Sequence, residues 1–547
     1  MRLFFCLLYV LVILFLAGCK QVVTPSFQGV SVTLNSADNN DGTYTNPIIQ
    51  ADYSDPDVIR VGNDYFMTAS SFNCAPGLPI LHSKDLVNWQ LITYACDAVY
   101  PIEHYSKVQH GNGIWAPSLR YHNGTFYIFY GDPDFGIFML KAKEAMGPWS
   151  KPLLIKEAKG WIDPCPFWDE DGKAYLVHAY AGSRAGLKSV LAINRMNDEG
   201  TELLDDGILV FDGHKHHKTI EGPKLYKRDG YYYIFAPAGG VAEGWQTVLR
   251  SKYIYGPYED KIVLQQGETD VNGPHQGAMV SLANGEDWFM HFQDQEAYGR
   301  VVHLQPMHWQ DDWPIMGKPT NGCGNPVQMY EKPKVAPAVS SFQVKSMNDE
   351  FDSETIPLLW QWHANKSLDW GLCYPGEGVF RMNCQAYPQS YSNLWDVSSL
   401  LLQKFPSQVF EVEAKININL INNTERVGFT VMGSEYCCLE VFKAEKQLFL
   451  RSCLCVDARS GSNEQYSEPI SIDASDILFK LIVKQGALCE LQYSLDGVRY
   501  TTVIDGFEAK PGRWIGSKFG FYALKGHNLN DSGWLDIDWV RYKTKNE

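Results

Sequence analysis

Residues 221–233, Glu-Gly-Pro-Lys-Leu-Tyr-Lys-Arg-Asp-Gly-Tyr-Tyr-Tyr, decide the fold because their pattern recurs four more times along the chain. Each copy opens beside a proline or glycine and continues through an apolar stretch, a glycine-centred turn and an aromatic strand. The other copies are residues 55–66, 116–127, 163–175 and 275–288. Their turn glycines are Gly62, Gly124, Gly172, Gly230 and Gly285. A β-hairpin is therefore predicted about every 55 residues.

A second element lies between these hairpins and supplies further strands. It is a turn followed by an aromatic residue, and it occupies residues 82–89, 141–149 and 250–258. Each unit then has about four strands, and helical periodicity is missing. Five such units arranged radially make a five-bladed β-propeller. A tandem of β-sandwich modules is the alternative, but each module would need about 100 residues.

The residues that open the repeats are predicted to meet at the propeller axis, because the innermost strand of every blade lines that axis. Three of these five residues are acids, namely Asp55, Asp163 and Glu221. The residue that opens the fifth repeat is His275. Crowded carboxyl groups repel one another, which favours a proton on one of them. One protonated and one ionised carboxyl beside a pocket are what glycoside hydrolysis requires. Strand capping or pairing with arginine is the alternative for any single acid.

The composition excludes nucleic acid as a partner. The 547 residues carry 47 Lys and Arg against 63 Asp and Glu, and the net charge of −16 repels phosphate backbones. Aromatic residues make up 13 % of the chain, with 16 Trp and 30 Tyr, which is more than packing requires. We therefore expect a globular protein with aromatic-lined sites.

The first residues predict export and a lipid anchor. Arg2 precedes an apolar run that ends at Gly18 and is too short to span a bilayer, but it suits a secretory signal. The run closes on Leu16-Ala-Gly-Cys19, which resembles a bacterial lipobox and implies diacylation of Cys19. The expected location is the periplasm or the outer membrane, with membrane contact only through the lipid. An ordinary signal peptide that contains a cysteine is the alternative.

The composition and the strand pattern of the sequence change after the fifth repeat. A Pro-, Ala- and Val-rich stretch reads as a linker, and alternating apolar and polar residues such as Gln408-Val-Phe-Glu-Val-Glu follow without a blade pattern. These later strands suit one jelly-roll-like β-sandwich, so the fold class is all-β with two domains. The predicted segments are a signal peptide (1–18), a tether (19–45), a propeller (46–330), a linker (331–346) and a β-sandwich (347–547).

A set of motifs in this order resembles glycoside hydrolase family 43 from about Asn46 to Pro326. The motifs are Asn46-Pro-Ile, Ser54-Asp-Pro-Asp-Val-Ile, His82-Ser-Lys-Asp-Leu-Val-Asn-Trp, Ile114-Trp-Ala-Pro-Ser, Ile162-Asp-Pro, Glu221-Gly-Pro, His275-Gln-Gly and Gly299-Arg. The later segments Trp360-Gln-Trp and Asn393-Leu-Trp-Asp-Val resemble the concanavalin-like domain attached to xylosidases and arabinofuranosidases of that family.

The resemblance implies roles for the three acids. Asp55 would be the general base that activates water, Glu221 the general acid, and Asp163 the group that orients the acid and tunes its pKa. Asp57 is the alternative base, but the family pattern places the base directly before a proline, as Asp55 stands. The reaction would invert the anomeric carbon.

The same resemblance implies the rest of the site. Arg300 would hydrogen-bond sugar hydroxyls, and Phe72 and Trp115 would form apolar walls. His275 would lie near an axial water or a hydrated, structural calcium ion, or would simply be a satisfied core histidine. No cofactor would be required for the chemistry.

The expected function is exo-acting removal of a terminal pentose, β-D-xylose or α-L-arabinofuranose, from oligosaccharides of plant hemicellulose or pectin. A lipid-anchored glycan-binding protein without activity is the alternative from another class. An exo-acting enzyme needs one end of its groove closed, and we expect a sandwich loop near residues 511–516, Pro-Gly-Arg-Trp-Ile-Gly, to close it. A binding module that never touches the site is the competing role for that domain.

Overall fold

The computed structural model describes residues 30–34, 36–335, 343–527 and 530–543, and Cys19 with the predicted signal segment lies outside them. The described chain is almost entirely β, as predicted: a five-bladed propeller is followed by a two-layer β-sandwich. Within the described ranges the helices are one short α-helix and four 3₁₀ turns, at Gly182–Ala185, His104–Ser106, Glu296–Tyr298, Leu394–Asp396 and Ala458–Ser460. None of these helices has the length and apolar character needed to cross a bilayer.

Each blade is an antiparallel sheet with four strands in sequence order, and the first strand is innermost. The strands of blade 1 are Asp57–Val61, Asp64–Thr68, Gly77–Ser83 and Trp89–Cys96; of blade 2, Trp115–His122, Thr125–Asp132, Gly136–Ala142 and Leu153–Glu157; of blade 3, Trp161–Trp168, Ala174–Tyr180, Val190–Met196 and Ile208–Asp212; of blade 4, Lys224–Arg228, Tyr231–Ala238, Trp245–Ser251 and Glu259–Gln265; of blade 5, His275–Ser281, Asp287–Asp294, Arg300–Gln310 and Trp313–Met316.

The segments predicted as tether and linker are part of the folded propeller where the structure describes them. Val30–Thr33 pairs with the outer strand of blade 1, and Gln343–Lys345 pairs in parallel with Val30–Thr33. Thr43–Thr45 pairs with Met329–Glu331. These additions were missed because each is only three or four residues long, too short for a periodic signal. Lys318–Thr320 and Cys323–Asn325 extend blade 4.

The backbone turns sharply at the axial end of every innermost strand. One residue per blade has a positive φ there: Asp55 (54°), Ala116 (35°), Asp163 (56°), Gly222 (58°) and Gln276 (36°). In blades 2, 3 and 5 the pairing register shifts at this residue, as in a β-bulge. A bulge redirects side chains, so these kinks turn polar groups from the blades toward the axis.

The second domain stacks two antiparallel sheets around its own apolar core. One sheet contains Gln361–Trp362, Gln385–Ala386, Leu401–Lys404, Arg426–Met432, Tyr436–Ala444, Gln447–Cys455, Gln465–Tyr466, Ile470–Ile472 and Lys518–Lys525; the other contains Gly371–Tyr374, Val379–Asn383, Phe410–Asn419, Asp476–Lys484, Leu488–Ser494, Thr501–Glu508 and Trp534–Lys543.

Hydrogen bonds between polar groups of the two domains join the sandwich to the propeller. The side chain of Asn365 accepts from the Val99 N–H (2.7 Å) and donates to the Val99 carbonyl (2.8 Å). Lys404 donates to the Asp52 carbonyl, and Lys518 donates to the Cys74 thiol at 3.1 Å. Buried backbone groups need such partners, so the contact holds the sandwich in one place beside the axial face of the propeller.

Candidate active site

One pocket at the axial face brings together all the side chains for which the sequence predicted a role in the site. It has a volume of about 230 Å³. Its lining includes Asp55, Phe72, Trp115, Asp163, Glu221, His275 and Arg300. The first five come from blades 1 to 4, and the last two come from blade 5. The repeat therefore places residues that are up to 245 positions apart in the chain around one cavity.

Asp55 is held as an acceptor of hydrogen bonds. Oδ2 accepts from the hydroxyls of Ser54 (2.7 Å) and Ser70 (2.6 Å). The Arg300 guanidinium lies 3.6 Å from Oδ1 and donates to Ser54 at 2.8 Å. These two hydroxyl donors and the nearby positive charge hold Asp55 as a hydrogen-bond acceptor in the pocket.

Glu221 has the opposite environment. Its carboxyl receives no hydrogen bond within the described ranges, and a third of the side chain is open to the pocket. Burial and the negative charges of Asp163 and Asp55 raise the pKa of Glu221 well above its ordinary value. Burial and the Asp55 charge also raise the pKa of Asp163, but Asp163 accepts the Gly222 N–H at 2.8 Å, and the Lys224 charge also favours its charged form. The pair therefore keeps its proton on Glu221.

His275 is a neutral side chain beside Glu221. Its Nε2 lies 3.4 Å from Glu221 Oε1, and burial together with the Arg300 charge lowers the pKa of His275 to about 3. Neither ring nitrogen has a hydrogen-bond partner in the described chain. Calcium takes about six to eight oxygen ligands, whereas the described residues include no group of three or more His, Cys, Asp or Glu that could hold a metal. These donors do not fit direct coordination of calcium, and the hydrated calcium ion expected near His275 stays a prediction.

Aromatic rings form the pocket walls. Phe72 is only 3 % exposed, and Trp115 is fixed by a hydrogen bond from Nε1 to the Gly111 carbonyl (2.8 Å). The ring of Trp514, which belongs to the sandwich, meets Trp115 edge-on with centroids 6.4 Å apart. The Arg300 guanidinium lies 5.4 Å from the Trp514 centroid on its other side. Aromatic walls bind sugar rings and exclude water from the acids.

Asp57, the alternative base, lies outside the pocket. It is completely buried, its Oδ2 accepts from Arg120 Nη1 at 2.6 Å, and Lys224 Nζ lies 3.8 Å from its Oδ1. A buried carboxylate with two cationic partners is a structural group, because it has no access to water or substrate. Of the two candidates only Asp55 lines the pocket, and its role as the base stays a prediction.

A sandwich loop, residues 511–516, brings Trp514 to the pocket, as the sequence led us to expect. Asp52 anchors this loop: Oδ1 accepts the Arg300 N–H (2.9 Å) and Oδ2 accepts the Gly516 N–H (3.1 Å). A Cβ at position 516 would lie 2.6 Å from the Gly299 nitrogen, so only glycine permits this approach. One buried carboxylate thus ties the sandwich loop to the arginine of the pocket.

Some residues of the site were missed by sequence reasoning. Ser70 donates to Asp55, and Gln276, Thr219 and Val241 also line the pocket. Gln276 could have been found from the sequence. It, and not His275, occupies the positive-φ position in blade 5 that Asp55 and Asp163 occupy in blades 1 and 3. Thr219 and Val241 lie in irregular loops of blade 4, whose positions no periodic pattern reports.

Comparisons with known proteins agree with this arrangement. The sequence profile of "Glycosyl hydrolases family 43" matches residues 44–314. The profile of "Beta xylosidase C-terminal Concanavalin A-like domain" matches residues 348–543. Together they cover the propeller and the sandwich.

Three individual proteins are similar over much of the chain. A putative beta-xylosidase of Xylanibacter ruminicola is 37 % identical over 502 residues, which are 91 % of this chain and 89 % of that protein. A non-reducing end alpha-L-arabinofuranosidase of Bacteroides ovatus is 32 % identical over 349 residues, 60 % of this chain and 63 % of the other. The crystal structure of a xylan beta-1,4-xylosidase from Bacillus halodurans superimposes with a TM-score of 0.80 at 25 % identity, covering 91 % and 100 % of the two chains.

The double role of Asp52 leads to a prediction about the loop. Asp52→Asn leaves one acceptor oxygen for the two backbone N–H groups of Arg300 and Gly516, and the new NH₂ group cannot accept from the second. We therefore expect the loop 511–516 to detach, because the lost hydrogen bond costs about 1–3 kcal/mol. Hydrogen–deuterium exchange should show faster exchange of this loop, with the blade cores unchanged. The exposed Asp97→Asn serves as the matched control. Equal protection of the loop from exchange in the wild type, Asp52→Asn and Asp97→Asn would contradict the anchoring role of Asp52.

Proposed function

The chain belongs to family 43 of the glycosyl hydrolases, and from this membership we propose that it removes one terminal pentose, preferentially β-D-xylose, from plant-derived oligosaccharides with inversion of the anomeric carbon. The observation that carries the proposal is the unequal environment of two carboxyls in one pocket. Asp55 has three donors or positive groups around it, and Glu221 has two negative neighbours. A charged base and a protonated acid are the pair that glycoside hydrolysis needs.

Each acid then has one task in the proposed mechanism. Asp55 takes a proton from a water molecule, which attacks the anomeric carbon as the glycosidic bond breaks. Glu221 gives its proton to the departing glycosidic oxygen. Asp163 stays ionised and keeps that proton on Glu221 between turnovers. Asp55 and Glu221 come from blades 1 and 4 and line the same pocket, and inversion would require room for the sugar and the attacking water between them.

The other residues bind and orient the terminal sugar. The Arg300 guanidinium faces the pocket from between Asp55 and the Trp514 ring, where it can bond sugar hydroxyls. Neutral His275 beside Glu221 offers a further ring nitrogen. The walls formed by Phe72 and Trp115 exclude water from the acids, which strengthens every electrostatic interaction there.

Exo-action follows from the closed end of the pocket. A propeller alone presents an open axial face, but here Trp514 of the sandwich stands at its edge and contacts Trp115. Only the end of a glycan chain can enter a cavity closed in this way. A glycan-binding protein without activity would have no use for a carboxyl whose proton is retained by a buried neighbour, so we set that alternative aside.

α-L-Arabinofuranose is the second candidate sugar, because a similar Bacteroides ovatus protein is an arabinofuranosidase by name. The two pentoses present similar hydroxyls. Side-by-side kcat/KM values for 4-nitrophenyl β-D-xyloside and 4-nitrophenyl α-L-arabinofuranoside decide between them, and we expect the xyloside to be preferred. A reversed preference assigns the arabinoside; absence of turnover on both contradicts the proposed function.

We further propose that the protein is a bacterial lipoprotein anchored through Cys19 in the periplasm or outer membrane, on the support of Leu16-Ala-Gly-Cys19. When the full-length gene is expressed in a Gram-negative host, the protein should partition into the detergent phase of Triton X-114. Cys19→Ala should remain in the aqueous phase or uncleaved. A cleaved wild-type protein that stays in the aqueous phase would argue for an ordinary signal peptide.

The acid role of Glu221 predicts a dependence on the leaving group. Glu221→Ala should lower kcat/KM on xylobiose by about 100- to 10,000-fold, because the sugar leaving group needs a proton. The loss on 2,4-dinitrophenyl xyloside should be far smaller, since that group departs unprotonated. Asp55→Ala should lower both alike, because water must be activated in either case. Equal losses for Glu221→Ala would remove Glu221 from the acid role.

The charge on Asp163 predicts a shift in the pH profile. Activity needs Glu221 protonated and is lost as the pH rises through the pKa of Glu221. Asp163→Asn removes a negative charge that raises this pKa, so the basic limb of kcat/KM should move to lower pH. The measurement is the pH dependence of kcat/KM on xylobiose, with Asp97→Asn as the control. An unmoved limb would leave Asp163 only an orienting role.

A further inference from the structure

A layer of buried side chains lies beneath the active pocket, one step deeper along the axis than Asp55 and Asp163. It consists of the second residue after the axial kink of each blade, and each of the five is at most 1 % exposed: Asp57, Ser118, Cys165, Lys224 and Ala278. Lys224 is the cation of this layer. Burial removes an ammonium group from water, which is costly unless its charge meets a compensating interaction.

The side chain of Lys224 crosses the propeller axis. It starts from blade 4, but Nζ donates to the Pro117 carbonyl at 2.9 Å and to the Ser118 hydroxyl at 2.7 Å, and both acceptors belong to blade 2. Blade 3 stands between blades 2 and 4, and its innermost strand carries Asp163. The ammonium group therefore passes in front of the strand that holds this carboxyl.

Two contacts between blades 3 and 4 fix Lys224 close to Asp163. The Gly222 N–H donates to Asp163 Oδ2 at 2.8 Å, and the Leu225 N–H donates to the Cys165 sulfur at 3.4 Å. Lys224 lies between Gly222 and Leu225 in the chain. Its side chain is therefore held in the layer just below the Asp163 carboxyl.

The charge of Lys224 is not needed to neutralise its own layer. Asp57 Oδ2 already accepts from the Arg120 guanidinium and from the Leu119 N–H, each at 2.6 Å, whereas Lys224 Nζ lies 3.8 Å from Oδ1. Both hydrogen bonds of Lys224 go to neutral oxygens. Arg120 and Lys224 together thus exceed the charge of Asp57, and the excess is positive and lies below a pocket that contains three carboxyls.

We propose that Lys224 is a positioning residue for the reaction: its buried charge keeps Asp163 ionised, and Asp163 in turn keeps the proton on Glu221. This inference rests on the proposed function and deepens it. The layer below the pocket then has an electrostatic part in the reaction in addition to its packing.

The other charged and titratable groups that face Asp163 and Glu221 do not take this part. They come from blades 1, 3 and 5 and are Asp55, Lys188, His275 and Arg300. The first is negative and the third is neutral. Lys188 is exposed, so water and salt screen its charge. Burial and Asp55 raise the pKa of Asp163 to about 7, and Lys224 is the cation that opposes this shift.

A double-mutant cycle of pH profiles tests the inference. Lys224→Met leaves Asp57 paired with Arg120, so it creates no unpaired carboxylate. Asp163 should then take a share of the proton, and the basic limb of kcat/KM on xylobiose should move to lower pH by about 0.3–1 unit, less than Asp163→Asn moves it. In the Asp163→Asn background, Lys224→Met should not lower the limb, because no carboxyl remains at position 163.

Two further variants separate charge from packing. Lys224→Gln keeps a hydrogen-bond donor without the charge and should move the limb as Lys224→Met does, which also keeps the test available if Lys224→Met does not fold. Lys224→Arg keeps the charge, so its limb should stay at the wild-type pH. A limb that the uncharged variants leave unmoved, raise, or move equally in both backgrounds would overturn the inference.

The wild-type protein distinguishes this result from failure of the proposed function. Turnover of xylobiose by the wild type, with a limb that does not respond to the charge at position 224, contradicts only the role of Lys224. Absence of turnover by the wild type contradicts the proposed function itself. We expect turnover, and a limb that follows the charge of Lys224 only while Asp163 is present.

Discussion

The sharp backbone turn at the axial end of each innermost strand is the constraint on which the site depends. Five residues, one per blade, have a left-handed φ there, and four of them are not glycine. Each non-glycine residue held in this way costs about 1–3 kcal/mol. Of the 21 non-glycine residues with positive φ in the described chain, seven line the active pocket. The packing of the blades must compensate for this strain. Because of the turns, side chains such as Asp55 and Asp163 point toward the axis and not into the core of a blade.

The hydrogen-bond donors around each acid differ, in addition to the effect of burial. Ser54 and Ser70 donate to Asp55, and Ser70 also accepts the Ala116 N–H at 2.7 Å, so it joins the kinks of blades 1 and 2. Asp163 accepts the Gly222 N–H, which belongs to the kink of blade 4. Glu221 precedes that kink by one residue and is left without donors. The backbone geometry that places the acids therefore also decides which of them receives hydrogen bonds.

The blade pattern and the three acids could be predicted from the sequence because hairpin turns and strand periodicity recur at a regular spacing. Short strands such as Val30–Thr33 and Gln343–Lys345 could not, since their stability comes from pairing with a distant edge and not from their own pattern. Asp52 was not distinguished either: its role depends on two backbone groups, from Arg300 and Gly516, that lie 248 and 464 positions away. Trp514 was suggested only by the need to close a pocket, and its contact with Trp115 required the folded chain.

The acids and the Trp514 ring at the edge of their pocket belong to two domains, and the sandwich core also includes Ala297 and Tyr298 of the propeller. In evolutionary terms, the acids and the edge of their pocket are encoded by different parts of the gene. Substitutions around Trp514 can therefore accumulate at the pocket edge while the strained propeller backbone that carries the acids stays the same.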